Sequence, residues 1–543
     1  MALKMKKNIK YIITACSLFL GVSACEVNRL PETAISDATF WRSETDLIAA
    51  TNYLYTFLPG FNTDDVWSDD AVGLASNNIS DGSRLAPSTD GNYSSAYQLI
   101  RASNNIIEKA LRTAPAVSAS IIDRYIAEAR FFRAWGYFSL VQRYGNVPLI
   151  LKTLEETSSE LTAPASPRDV VLDQVYQDLD FAASKLPSIT NLGTASYGRI
   201  STTAALAFKA RVALFEGTRS KFHNYGDPAK HLTLAVAAAK AVIDSKQHAL
   251  FANYFNIFQY EGEGLQDKEN IIVRQYGVSL TDRVNVHAYY RGTIENGNKS
   301  PTKSLVDSYL MSDGLPITKS PLYKKPVVSL DVFANRDDRI NATIMKRGDP
   351  YIFTKKVYDV AVLNFQKTGF TFRKFSNIDD WNTQASSIDR PILRYAEVLL
   401  AYAEAKYELD NAITDADLDF SINLLRTRAK IVKLTNAFVN ANSLNMGDEL
   451  RRERRVELAQ EGFRYWDLIR WKTAEIELPK PILGNFYFKD EFGSGTSVKL
   501  TADNLILVQD ASFRKFNPAK DYLWPIPLNE ISLNPNLKQN PNW

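Results

Sequence analysis

Cysteine is nearly missing from this chain: of 543 residues only Cys16 and Cys25 carry a thiol, both near the N-terminus. No disulfide framework or cysteine metal site can therefore form downstream, and thiol redox chemistry is excluded as a function. Histidine is equally sparse. His223, His231, His248 and His287 show no HExxH spacing and no close pairing, which argues against a zinc hydrolase. There is no GxSxG elbow and no Walker phosphate loop, and Gly262-Glu263-Gly264 lacks the third glycine of a dinucleotide fingerprint. Beyond residue 25 no run approaches the ~18 uninterrupted apolar residues of a membrane-spanning helix. Charge of one sign is lacking as well. The formal +3 includes Lys4, Lys6, Lys7 and Lys10, and without those four lysines it becomes about −1. Nothing in that balance points to a nucleic-acid partner. No cofactor and no metal is implied.

What is present is the composition of a folded globular protein, 45% hydrophobic and 23% charged. The length allows one large domain or two to four ordinary ones. Residues 1–10 are basic and residues 11–22 apolar, too short to span a bilayer but suited to a signal peptide. Val22-Ser23-Ala24-Cys25 fits a lipobox, in which a peptidase cuts before an acylated cysteine. The expectation is a signal peptide over 1–24, lipidation at Cys25, and a folded body held to a membrane only by acyl chains.

Apolar spacing at i, i+3 and i+4 predicts helices over 121–144, 169–186, 202–215 and 232–244. In the first of these, Phe131, Trp135 and Phe138 form one stripe and Phe132, Gly136, Leu140 and Tyr144 another, as in a helix buried on two sides. Gly217 reads as the stop of the third. The segment 262–389 alternates short β-prone runs, such as 271–273 and 351–353, with Gly, Asn, Asp and Pro clusters. Such loop-rich text is where binding residues tend to sit. Closing helices are expected within 390–471, over 391–409, 420–429 and 448–471, and the tail from Lys480 reads as irregular.

Glu128-Ala129-Arg130-Phe131-Phe132-Arg133-Ala134, running on to Tyr144-Gly145-Asn146-Val147-Pro148-Leu149, resembles the SusD/RagB family of outer-membrane lipoproteins from Bacteroidetes. Further motifs similar to that family follow in order. They include Phe40-Trp41, Gly198-Arg199, Asp313-Gly314, Asn335-Arg336-Asp337, Arg394-Tyr395-Ala396-Glu397, Glu453-Arg454-Arg455, Glu461-Gly462, Arg470-Trp471 and Pro525-Ile526-Pro527. The resemblance covers essentially the whole chain after Cys25. It implies a mainly α, SusD-like fold: four tetratricopeptide-like helical pairs against an irregular, loop-rich ligand-binding part. In residue terms that is an N-terminal helical region over 25–261 and a C-terminal region over 262–543. It also implies a cell-surface lipoprotein of the outer membrane that captures a glycan and lids a SusC-like TonB-dependent transporter. A peptide or other nutrient in place of the glycan, or a purely structural lid, stays open.

The best case for catalysis is Glu397 with Glu404, which seven residues of helix separate by about 10.5 Å along the axis. That exceeds both carboxylate spacings of glycosidases. Pairing with arginines such as Arg394, Arg426 or Arg454 accounts for them better, and no enzyme is expected. A sugar site needs flat aromatic faces beside carboxamides, carboxylates and arginines. Two irregular stretches offer both: Trp67, Asp70, Asn77, Asp81 and Arg84, and then Arg283, His287, Tyr289 and Tyr290, with Trp381 in a later loop. Trp135, Tyr144, Tyr395, Trp466 and Trp471, on predicted helices, read as core packing.

Overall fold

A computed structural model describes residues 37, 40–61, 64–277, 293, 297–350, 357–383, 386–493 and 497–543. Cys25, Arg283, His287, Tyr289, Tyr290 and the 351–353 run lie outside the described residues, as does the side chain of Trp381.

The principal helices are α1 (Glu44–Tyr55), α2 (Gly91–Lys109), α3 (Ala119–Tyr144), α4 (Arg168–Lys185), α5 (Thr202–His223), α6 (Pro228–Asp244), α7 (Tyr395–Asp410), α8 (Ile422–Arg428), α9 (Met446–Glu457) and α10 (Arg464–Arg470). Their starts are written locally. Ser43 opens α1 with a capping box to Asp46, Ser201 accepts from the Ala204 amide at α5, and Asp227 with Pro228 opens α6. Successive helices lie side by side as pairs α2/α3, α4/α5, α6/α7 and α8/α9, the mainly helical architecture expected. The α3 helix is buried on both predicted stripes.

Buried ion pairs stitch the array together. Arg133 on α3 holds Asp178 on α4 through two bonds of 2.7 and 2.8 Å and reaches Asn104 on α2. Glu128, one turn earlier, takes Arg199 at 2.6 Å and the Tyr55 hydroxyl at 2.9 Å. The Glu-Ala-Arg-Phe-Phe-Arg stretch is thus a seam joining α1, α2, α4 and the approach to α5.

Three helix boundaries need correction. Gly217 does not end α5, which runs on to His223 and is capped by left-handed Asn224. It is instead where α6 crosses: a Cβ there would stand 2.8 Å from Leu232 Cγ and 3.0 Å from its amide nitrogen. Gly217→Ala, which would stabilise a free helix by about 1 kcal/mol, is therefore expected to destabilise this one by roughly 1–3 kcal/mol. Urea unfolding checks the sign, and any gain in stability contradicts the close crossing. Next, the segment 391–409 begins as a strand. Arg390–Arg394 (β4) pairs antiparallel with Asn270–Arg274 (β2), Val273 facing Pro391, before α7 starts. Finally, the stretch 448–471 is two helices, because left-handed Gln460 and Gly462 break it between α9 and α10.

The tail is more ordered than its text suggests. Ile482–Phe486 (β5) and Leu505–Gln509 (β6) form an antiparallel pair. The chain then returns to the first half: the Trp524 amide donates to Arg143 O at 2.7 Å, and Asn540 Nδ2 donates to Tyr144 O at 2.9 Å.

A second, polar core lies where α7, α8 and α9 meet the loop-rich part. Arg339, Arg394, Arg426 and Arg428 alternate there with Glu269, Asp337, Glu453, Glu457 and Glu461, all within 3.1 Å of a partner. Arg339, Arg394 and Arg426 are among the largest fully buried side chains.

Candidate functional site

Asp64–Trp67 forms one tight helical turn, and Ala71–Val72 (β1) pairs with Ser300–Pro301 (β3). This lays Trp67 edge-on against Tyr465, Trp466 and Trp524, at centroid distances of 5.8, 6.4 and 5.4 Å. Trp466 and Trp524 stack at 5.9 Å, and the Arg84 guanidinium lies 3.7 Å over the Trp524 ring. So the structure brings Trp67 and Arg84 together on one distant ring, Trp524.

The other residues of that stretch do different work. Asp70 is 2% exposed and receives Arg455 Nε at 2.7 Å, while Asp69 beside it takes both Arg455 and Arg464. Burial raises both carboxyls, but Arg455 and Arg464 outweigh it at Asp69 and keep it ionised. This is a buried clasp between the first loop and α9/α10. Asn77 closes a turn by accepting from the Ile79 and Ser80 amides, and Asp81 accepts from the Ser83 amide.

In front of the aromatic cluster opens a cleft of about 620 Å³ between α2, α3 and α5 on one side and Phe57, Pro59, Asp64, β4 and α10 on the other. Half-buried Trp135 and Trp466 line it with Phe57 and Phe463, among polar Asn92, Ser95, Ser139 and Gln142. Trp135 is braced from behind by Phe208, stacked at 4.5 Å. Both rings also pack against the main hydrophobic core, as the sequence reading has them; what that reading misses is their cleft face. One signal was available: Trp135, Ser139 and Gln142 recur at i, i+4 and i+7, so a single face of α3 passes from aromatic to polar, as a groove wall does.

Most charges along the cleft are matched. Arg211 grips Glu397 through bonds of 2.7 and 2.5 Å, Arg454 holds Asp467 at 2.9 Å, and Arg470 joins Glu404 to Asp467. Glu397 and Glu404 do pair with arginines, although with Arg211 and Arg470 instead of the ones expected. Burial would raise Glu404, but Arg470 outweighs it and holds the carboxyl low, the opposite of what a general acid requires.

Among the described residues, Asp169, Glu216 and His231 converge closely enough to hold an ion. Two of the three are already engaged: Glu216 accepts from Arg168 twice and from Tyr225, and His231 Nδ1 meets the Tyr176 hydroxyl at 2.7 Å. A guanidinium at that position disfavours a second cation.

The loop-rich part reaches the cleft rim through Asp389, whose carboxylate accepts from the Tyr276 amide, while Glu263 accepts from the Asp389 amide. Burial pushes Glu263 up to about 7 from 4.5, and Asp267 and Asp389 up to about 6 from 3.8. Each folded value lies above the unfolded one, so protonation favours the native state. That contribution is full below about pH 4 and is lost as pH rises through 6 to 7. Relative to Glu263→Gln, the wild-type protein is expected to gain melting temperature between pH 8 and 6. Parallel pH–melting curves for the two proteins would contradict this.

Comparison with known proteins agrees with this architecture. A profile described as the SusD family matches residues 268–543, and one described as starch-binding associating with outer membrane matches 61–214. A SusD-like protein of Bacteroides ovatus is 24% identical, with 100% of this chain and 99% of that protein covered. A SusD-like protein of Formosa agariphila is 27% identical over 99% of both chains. The crystal structure of a SusD-like carbohydrate binding protein from Bacteroides fragilis superposes with a TM-score of 0.75 at 26% identity, covering 92% of this chain and 100% of that one. With half its length matched by the family profile and its helical pairs, loop-rich part and polar seam all in place, the chain belongs to the SusD family.

Proposed function

We propose that this protein is a surface lipoprotein that binds a glycan without transforming it and works as the lid of a SusC-like TonB-dependent transporter in the outer membrane. The observation that carries the binding role is the cleft: two half-buried tryptophans braced from behind, facing a space of about 620 Å³ whose walls alternate aromatic rings with carboxamides and hydroxyls. Aromatic faces take the C–H side of a pyranose and the polar groups take its hydroxyls. The matched carboxylates along the walls favour retention over turnover. The membrane role rests on the family and on the lipobox at Cys25; no described helix is long and apolar enough to cross a membrane.

The ligand site of this reading is the cleft, with Trp67 and Arg84 as its backing. Asp70, Asn77 and Asp81 leave the contact set, since their oxygens serve the clasp and the turns. Arg283, His287, Tyr289 and Tyr290, outside the described residues, stay candidates on the sequence reading alone.

A glycan array with affinity gels, run on the protein beginning at Glu26, tests the proposal. Retention of a glycan with no release of reducing ends is the expected result. Silence across broad glycan panels would leave a purely structural lid.

A further inference from the structure

Two guanidinium groups of the cleft form no ion pair with a described carboxylate. Arg143, at the end of α3, donates from Nη1 to Ser139 O at 3.2 Å, while its Nε is buried without a partner. The ring centres of Trp466 and Trp524 lie 5.0 and 5.3 Å from it. Arg390, the first residue of β4 on the opposite wall, has a buried Nη1 with no partner. Neither arginine makes an ion pair with a described residue.

The other charges facing this space can be accounted for. Arg211, Arg454 and Arg470 are neutralised by Glu397, Asp467 and Glu404, and Glu461 by Arg394 and Lys374. That leaves Asp64, which lies close enough to feel both Arg143 and Arg390. Within the cleft two cations therefore share one carboxylate, while Asp90, already bonded to Arg84 and Tyr144, also acts on Arg143. Removing a charge from water without a full partner is costly, and of the five arginines that line the cleft these two alone make no ion pair with a described residue. A planar fork with free N–H groups is the natural receptor for a carboxylate or sulfate oxygen pair.

We infer that the glycan taken by this cleft is acidic, its carboxylate or sulfate ester received by Arg143 and Arg390 while the adjoining ring packs on Trp466 or Trp135. The inference rests on the glycan-binding reading above, and it narrows the ligand class from any oligosaccharide to one bearing a uronate or a sulfate.

Calorimetry on the full chain in detergent tests it with two matched pairs of probes. These are tetragalacturonate against its methyl ester, and a carrageenan-derived tetrasaccharide, which carries sulfate but no uronate, against its desulfated, neutral form. One acidic member is expected to bind at least tenfold more tightly than its neutralised partner, with affinity falling as salt rises. Which pair responds distinguishes carboxylate from sulfate. Arg143→Gln or Arg390→Gln should lose tenfold or more for the acidic probe. Arg143→Met, which removes an unmatched charge, should melt no lower than wild type, whereas a purely structural arginine would lower the melting temperature. Equal binding of both members of a pair, abolished by Trp466→Ala, would overturn the acidic inference and keep the glycan reading. Acid binding indifferent to both arginine substitutions places it elsewhere and also overturns the inference. Silence of all four probes overturns the inference alone, since the broad glycan panel decides the wider reading.

Discussion

Glu457→Ala is expected to lower global stability by roughly 3–5 kcal/mol, the loss typical when one member of a buried charge network is removed. Glu457 receives Arg339 at 3.0 Å, Arg394 at 3.1 Å and Arg428 at 2.6 Å in a region closed to water. Its removal takes a partner from three buried guanidiniums at once. Arg428 then relies on Glu269 alone, and Arg394 on Glu269 and Glu461. Glu457→Gln keeps the volume and the acceptor oxygen but not the charge, so its loss should be intermediate. Denaturant unfolding decides; values within about 1 kcal/mol of wild type for both variants would sink the argument. The same residue predicts part of the acid limb. Burial alone would raise its carboxyl, but Arg428, Arg394 and Arg339 overrule burial and hold it at about 2. A folded value below the unfolded 4.5 means that this stabilisation is complete above pH 4.5 and disappears as pH falls toward 2.

The second large effect concerns binding. Trp466→Ala and Trp135→Ala are each expected to weaken affinity for a retained glycan by ten- to a hundredfold, as loss of a stacking anchor at the centre of a site does. Trp466→Phe should recover part of it, because a smaller ring still presents a face. Phe513, an exposed ring remote from the cleft, serves as the control, and Phe513→Ala should leave affinity unchanged. Calorimetry together with circular-dichroism melting separates loss of contact from loss of fold. Full affinity in folded Trp466→Ala would remove the cleft from consideration.

Local text was sufficient for the helices of the first half. The stripes of α3, the caps of α5 and α6 and the prolines that bound α4 are all nearest-neighbour signals. The misreadings share one cause. An apolar run such as Pro391-Ile392-Leu393 has no period of its own, and only the partner strand 270–274 makes it β. Gly217 looks like a stop because α6, which needs its bare backbone, is invisible from within α5. The site shows the same division. Trp67 and Arg84 stand in irregular text and were legible as candidates. Asp70 carries the right chemistry, yet its oxygens are claimed by Arg455, 385 residues away. Trp135 and Trp466 sit on helices, where a core tryptophan and a groove tryptophan are spelled alike until the opposite wall is known.

The return of the chain end onto α3 sets an order in time. Arg143 and Tyr144 are held through Trp524 and Asn540, the latter contact spanning 396 residues. The helices of the first half can form as soon as their own residues are available, but the wall that fixes Arg143 closes only after residue 524 has arrived. Contacts of such long range are made late. A chain halted short of that point would carry most of its helix and none of its finished cleft. Circular dichroism and ligand capture should then part company: helical signal early, binding only at the last step of assembly.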